Sequence, residues 1–125
     1  MNIVAGIIGM GIGEKHLEAI EGYKNSKIKI ICEKNEKIIK LLKKKYPKII
    51  ITKNEDAIYL DKEINLVSIA SYDEYHFKQI IKCFKFKKNI IVEKPMCLKE
   101  SQLKKINILL KKQPNIKITS NLALR

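Results

Sequence analysis

Six short runs of β-branched and aliphatic residues, 2–8, 27–32, 49–52, 65–70, 89–92 and 117–119, alternate along this chain with longer segments of helical period. Runs this short and this rich in Ile and Val are strands of a sheet covered on both faces. Between them, apolar residues recur every three or four positions: Ile38, Leu41 and Leu42, then Phe77, Ile80, Ile81 and Phe84, then Leu103, Ile106 and Leu110. Each set gives its helix one apolar stripe to turn toward a core. Asn54 and Asp73 stand where they can cap the helices that follow, and Pro47 and Pro114 where they stop the helices that precede them. Strands alternating with helices pair in parallel through right-handed crossovers, which lays helices on both faces. The expected fold is a doubly wound parallel α/β sandwich of three layers, α/β/α. With 125 residues, 46% of them hydrophobic, the chain has the size and the apolar content of one such domain, with no internal repeat or linker.

The charge points elsewhere at first sight. Against 13 acidic residues stand 26 basic ones, a net charge of +13, which suggests a polyanionic partner. Only Arg125 among the basic residues is an arginine, whereas base and phosphate readout favour the guanidinium fork. The lysines are dispersed and not interleaved with stacking aromatics, so they read as solvated faces and nucleic acid is not expected. Cys32, Cys83 and Cys97 are odd in number and lack ligand spacing, so neither a disulfide framework nor a metal site is expected, and a reducing cytoplasm fits. The glycine-broken N-terminus has no basic flank for a signal sequence. No apolar stretch reaches the roughly 18 residues of a membrane span.

Chemistry concentrates at Gly9-Met10-Gly11-Ile12-Gly13, between the first predicted strand and a helix carrying Leu17 and Ile20. A phosphate docks on a helix N-terminus only where the backbone comes close, because the donors are unpaired amide N–H groups aided by the helix dipole. One glycine permits the tight turn, a second lets a pyrophosphate approach, and a third lets helix and strand pack together. The spacing is contracted, so Glu14 occupies the place of the usual third glycine. Glu33, at the end of the second strand, stands where an acid accepts hydrogen bonds from the adenosine ribose. Its carboxylate favours NAD by repelling a 2′-phosphate, and Lys34 beside it offsets part of that repulsion, so NADP stays open. A methyl-donor site usually carries an acid two residues before the first glycine, and here that residue is Ile7. Tyr23 and Lys27 have the Tyr-x-x-x-Lys spacing of short-chain dehydrogenases, but at a helix exit far from the strand ends, and are read as chance.

Ligands of such a sheet lie beyond the carboxyl ends of its strands. Ser71, Tyr72, Asp73 and His76 follow the fourth strand there, and Glu93, Lys94 and Pro95 follow the fifth. An ammonium at that place can orient a substrate hydroxyl or stabilise an alkoxide forming on it, although Lys94 is one lysine among 25.

These segments together resemble the glucose-fructose oxidoreductase, inositol dehydrogenase and rhizopine-catabolism (Gfo/Idh/MocA) family over essentially the whole chain. Gly9 to His16 resembles its opening turn in contracted form, Ser71 to His76 its Thr-Pro-Asn-x-x-His segment, and Ile91 to Pro95 its Glu-Lys-Pro signature. The resemblance implies an NAD(P)-binding Rossmann domain over 1–125 and hydride transfer between NAD(P) and a hydroxyl of a sugar, cyclitol or related small molecule. Lys94 would then be the catalytic lysine at nicotinamide and substrate. Gly9, Met10, Gly11, Ile12, Gly13, Glu33, Ser71, Tyr72, His76, Glu93 and Pro95 would form the cofactor pocket. Family members continue into a second α/β domain that supplies the acid/base group and the substrate pocket, and that domain is expected to be absent from these 125 residues. The chain is thus expected to bind a dinucleotide, and a substrate only where a second domain is supplied, with a homo-oligomer or a partner chain as further expectations. The alternative is a non-catalytic module that senses NAD or acts through a partner.

Overall fold

The computed structural model describes residues 2–11 and 13–121. The strands are β1 (Ile3–Ile8), β2 (Ser26–Cys32), β3 (Ile50–Thr52), β4 (Leu66–Ile69), β5 (Asn89–Glu93) and β6 (Ile118–Asn121), each within two residues of its predicted bounds. The helices are α1 (Gly13–Glu21), α2 (Glu36–Lys45), α3 (Asp56–Leu60), α4 (His76–Lys85) and α5 (Glu100–Lys112). All strand pairs are parallel, in the order β3-β2-β1-β4-β5-β6, the doubly wound arrangement expected of the alternation.

Strand alternation sorts the core into two clusters, one on each face. Ala5 and Ile7 of β1 pack with Leu17 and Ile20 of α1 and Leu42 of α2. Val4 and Ile8 pack with Ile58 of α3, Ile80 and Phe84 of α4 and Ile106 of α5. The sheet is therefore the middle of three layers. Between Ala5 and Gly6 the register with β2 shifts, so Ile28 and Ile30 fall on opposite faces although they are two residues apart.

Two helices depart from their predicted stripes at one residue each, Leu41 and Leu103, while Ile38, Leu42, Ile106 and Leu110 pack on the core as predicted. Leu41 is 67% exposed and Ile39 is buried, because Asn35 caps α2 through Lys37 and Ile38 N–H and sets the phase that aims Ile39 and Leu42 inward. On α5 only Ile106 is buried and Leu103 is 43% exposed. The N-cap position of α3 falls on Glu55, one residue after the predicted Asn54, whose Oδ1 still accepts from Asp56 N–H at 3.0 Å. Asp73 instead opens a one-turn 3-10 helix, Asp73–Tyr75, from which α4 continues with no side-chain cap at Tyr75.

Candidate functional site

At the carboxyl ends of β1 and β4, where the winding of the sheet reverses, lies a cleft of about 510 Å³. Its walls are the turn after β1, the loop from β2 to α2, the loop after β4, and the end of β5. Of the residues singled out from the sequence, Gly9, Met10, Gly11, Glu33, Ser71, Tyr72 and Glu93 line it. Gly13 and His76 are buried behind the wall, and Lys94 and Pro95 are exposed beyond Glu93. Ile12 lies outside the described residues.

The three glycines of the turn answer to three different demands. Gly9 has φ +88, and a Cβ there would come within 2.7 Å of the Ala70 carbonyl oxygen, so backbone conformation and the close approach of two loops both require glycine. A Cβ on Gly13 would meet Ile7 Cγ2 at 3.1 Å and Met10 Sδ at 3.3 Å, which is helix-on-strand packing. Gly13 thus serves the packing role one position early, and Glu14 is left to pair with Lys45 of α2 at 2.7 Å. Gly11 is exposed to the cleft, and a Cβ there would meet nothing within 4 Å. Neither φ nor packing asks for glycine at that position.

Glu33 joins the turn to the next strand end. Its Oε1 accepts from Met10 N–H at 2.9 Å, and its Oε2 accepts from Lys34 and Asn35 N–H at 2.8 Å each. A carboxylate oxygen has two lone pairs, so Oε1 still has capacity for a ribose hydroxyl. Across the mouth of the cleft the Lys34 ammonium lies 5.9 Å from the centre of the Tyr75 ring, within range of a cation–π contact.

Deeper in, Ser71 Oγ donates to Gln79 Oε1 at 2.6 Å, Gln79 Nε2 donates to Glu55 Oε2 at 3.2 Å, and Tyr59 OH donates to Glu55 Oε1 at 3.0 Å. Glu55, Tyr75 and Gln79 line the cleft and were not foreseen. Gln79 left a signal, a polar side chain on the buried face of α4 beside Ile80. Glu55 and Tyr75 left none. Cys32 also lines the cleft, and burial pushes its thiol up to about 11, which keeps it protonated and unreactive.

Both histidines lie inside the protein beside the β5 exit. His16 of α1 is hydrogen-bonded through Nδ1 to Ser68 Oγ on β4, and its Nε2 is 2.6 Å from Glu93 Oε2. His76 places Nδ1 2.6 Å from the Pro95 carbonyl oxygen and Nε2 2.9 Å from the Ser71 carbonyl oxygen. The Lys94–Pro95 peptide bond is cis. Among the described residues no helix is long and apolar enough to cross a membrane, and no group of three or more His, Cys, Asp or Glu could hold a metal ion.

Residues 3–121 match the family described as an oxidoreductase family with an NAD-binding Rossmann fold. The chain belongs to the Gfo/Idh/MocA family. Among solved structures it is similar to scyllo-inositol dehydrogenase of Lactobacillus casei with bound NAD(H) and scyllo-inositol, at 21% identity and a TM-score of 0.86, over 97% of this chain and 36% of that one. Myo-inositol 2-dehydrogenase of Lactobacillus plantarum has 20% identity and a TM-score of 0.86, again over 97% and 36%. An NAD-binding protein of Listeria innocua has 19% identity and a TM-score of 0.86, over 97% and 35%. At these identities the likeness shows the shared fold, and this chain spans about a third of the length of those proteins. No curated protein matches the sequence significantly.

Proposed function

We propose that this Gfo/Idh/MocA chain binds NAD in the cleft at the β1–β4 switch point, as the cofactor half of an oxidoreductase acting on a hydroxyl or keto group of a sugar, cyclitol or related small molecule. Gly11 carries the reading. A glycine that neither φ nor packing requires, open to a cleft at a helix N-terminus, is what an approaching pyrophosphate requires. In this reading the turn from Gly9 to Gly13, Ile12 included, receives the pyrophosphate. Glu33 accepts from the adenosine ribose. Ser71, Tyr72, Glu93 and Pro95 flank the nicotinamide end, and His76 supports them from behind.

Bound there, the nicotinamide would exchange a hydride with the substrate carbon. Lys94 orients the reacting hydroxyl and stabilises negative charge developing on its oxygen. His16 and His76 are buried and cannot reach a substrate, so the proton acceptor and the substrate pocket come from outside residues 1–125, in the same polypeptide or another. The three free thiols suit a reducing, cytoplasmic setting.

The preference for NAD comes from charge. A 2′-phosphate about 4 Å from the Glu33 carboxylate costs about 1–4 kcal/mol, depending on how well water screens the pair, or roughly fivefold in affinity and upward. Lys34 returns part of that. Calorimetric titration should therefore show NADH binding more tightly than NADPH, with the gap narrowing in Glu33→Gln. Equal affinities in the wild-type chain would overturn the preference for NAD.

A further inference from the structure

Lys94 is exposed, yet both of its chain neighbours are gripped from the interior. On one side the Glu93 carboxylate meets His16 Nε2 at 2.6 Å, and His16 is anchored in turn to Ser68 of β4. On the other side the Pro95 carbonyl meets His76 Nδ1 at 2.6 Å, and the opposite nitrogen of that ring faces the Ser71 carbonyl at 2.9 Å. A lysine carries its ammonium on a flexible four-carbon stem, so where the backbone is anchored sets the volume that the ammonium can reach. We propose that His16 and His76 are positioning residues that hold the backbone on either side of Lys94 and so aim its ammonium at the nicotinamide end of the cleft.

The inference rests on the cofactor reading above and adds to it the means by which the corner is registered. His16 is on α1, the helix that starts at the glycine turn, and His76 opens α4, directly after the Ser71 loop. Each histidine therefore ties the Lys94 segment to one wall of the cleft, and at 4% and 0% exposure neither has a surface role of its own. The two contacts use different attachment points, a side chain before Lys94 and a carbonyl after it. Losing either should free the lysine while leaving the adenosine end of the site in place.

The test uses the whole chain with NADH and ADP-ribose, which lacks the nicotinamide. Calorimetry gives both affinities, and the fluorescence lifetime of bound NADH reports how firmly the dihydronicotinamide is held. His16→Leu and His76→Leu should bind ADP-ribose as the wild-type chain does, while the lifetime of bound NADH falls to that found in Lys94→Ala. His16→Gln, which keeps an N–H donor near the Nε2 position, should restore it. Combining either Leu variant with Lys94→Ala should lower it no further, because the histidines act through the lysine.

Unchanged lifetimes in the Leu variants, an unchanged lifetime in Lys94→Ala, or additive losses in the doubles would overturn the proposal. Failure of the wild-type chain to bind either ligand would instead refute the cofactor reading itself. Should the Leu variants not fold, the chain's two histidines make NMR decisive. NADH must then move the His76 ring signal more than ADP-ribose does, and Lys94→Ala must abolish the difference. An equal response to both ligands overturns the role of His76.

Discussion

Replacing the glycines of the β1–α1 turn one at a time by alanine should separate the demands of the fold from those of the ligand. At Gly9 the side chain would have to adopt φ near +88, which costs a non-glycine residue about 1–2 kcal/mol. Its Cβ would also stand 2.7 Å from the Ala70 carbonyl oxygen and 3.0 Å from Ser71 N, so backbone must move. That movement loosens the Gly9 N–H bond to Cys32 O or the Ala70 N–H bond to Ile8 O, at about 1 kcal/mol each. Gly9→Ala should therefore destabilise the chain by about 2–4 kcal/mol. At Gly11 nothing lies within 4 Å of the added carbon, and the change should stay within about 0.5 kcal/mol. Gly13→Ala should fall between them, since Ile7 and Met10 can give by tenths of an ångström. Urea denaturation followed by circular dichroism reads all three, and with a slope of about 1–3 kcal/mol/M the Gly9→Ala midpoint should drop by about 1–2 M. If Gly11→Ala were destabilised as much as Gly9→Ala, the assignment of one glycine to the fold and the other to the ligand would be wrong.

Ser68→Ala should cost about 1–3 kcal/mol, because it removes the buried hydroxyl that pairs with His16 Nδ1, and a denaturant midpoint unchanged within error would mean that the pair contributes nothing. The pH dependence of stability tests the Lys29 cluster beneath β2. The Lys29 ammonium, 2.8 Å from Asp61 Oδ2 and 3.2 Å from Glu63 Oε1, holds both carboxyls below their ordinary 3.8 and 4.5, while they raise Lys29 above 10.5. The unfolded chain binds more protons as the acids titrate, so their contribution is complete above about pH 4.5 and is lost as pH falls through the folded values. The contribution of Lys29 is complete below about 10.5 and is lost as pH rises through its folded value. Lys29→Met should thus lower the melting temperature most near neutral pH and converge on the wild-type chain in acid and in strong alkali. A difference that stays constant across pH would show that the ion pairs are not its source.

The elements were legible because β-branched runs and helical stripes are local signals, and every strand from β1 to β6 lies within two residues of its predicted bounds. The phase of α2 was not, since Ile38, Ile39, Leu41 and Leu42 surround much of the helix and only the Asn35 cap and docking beside β3 choose a side. Nor could the register shift in β2 be read, because it exists only against β1. The glycine turn and the Glu93–Lys94–Pro95 corner were visible as residue types in the right order along the chain. What joins them was not. His16 reaches Glu93 across 77 positions and Ser68 across 52, and Glu33 reaches back 23 to Met10, so these polar contacts leave no period or spacing to detect. Gln79 reaches Glu55 across 24 positions in the same way.

The central claim is that the turn at Gly11 is kept open for a dinucleotide, and calorimetric titration of NADH into the wild-type chain and Gly11→Val tests it most directly. The wild-type chain should bind, and a Gly11→Val chain that unfolds at the same urea concentration should not, because the Cβ at this position meets nothing of the protein and carries the valine toward the pyrophosphate's path. Equal heats from the two proteins, whether both bind or neither does, would contradict it.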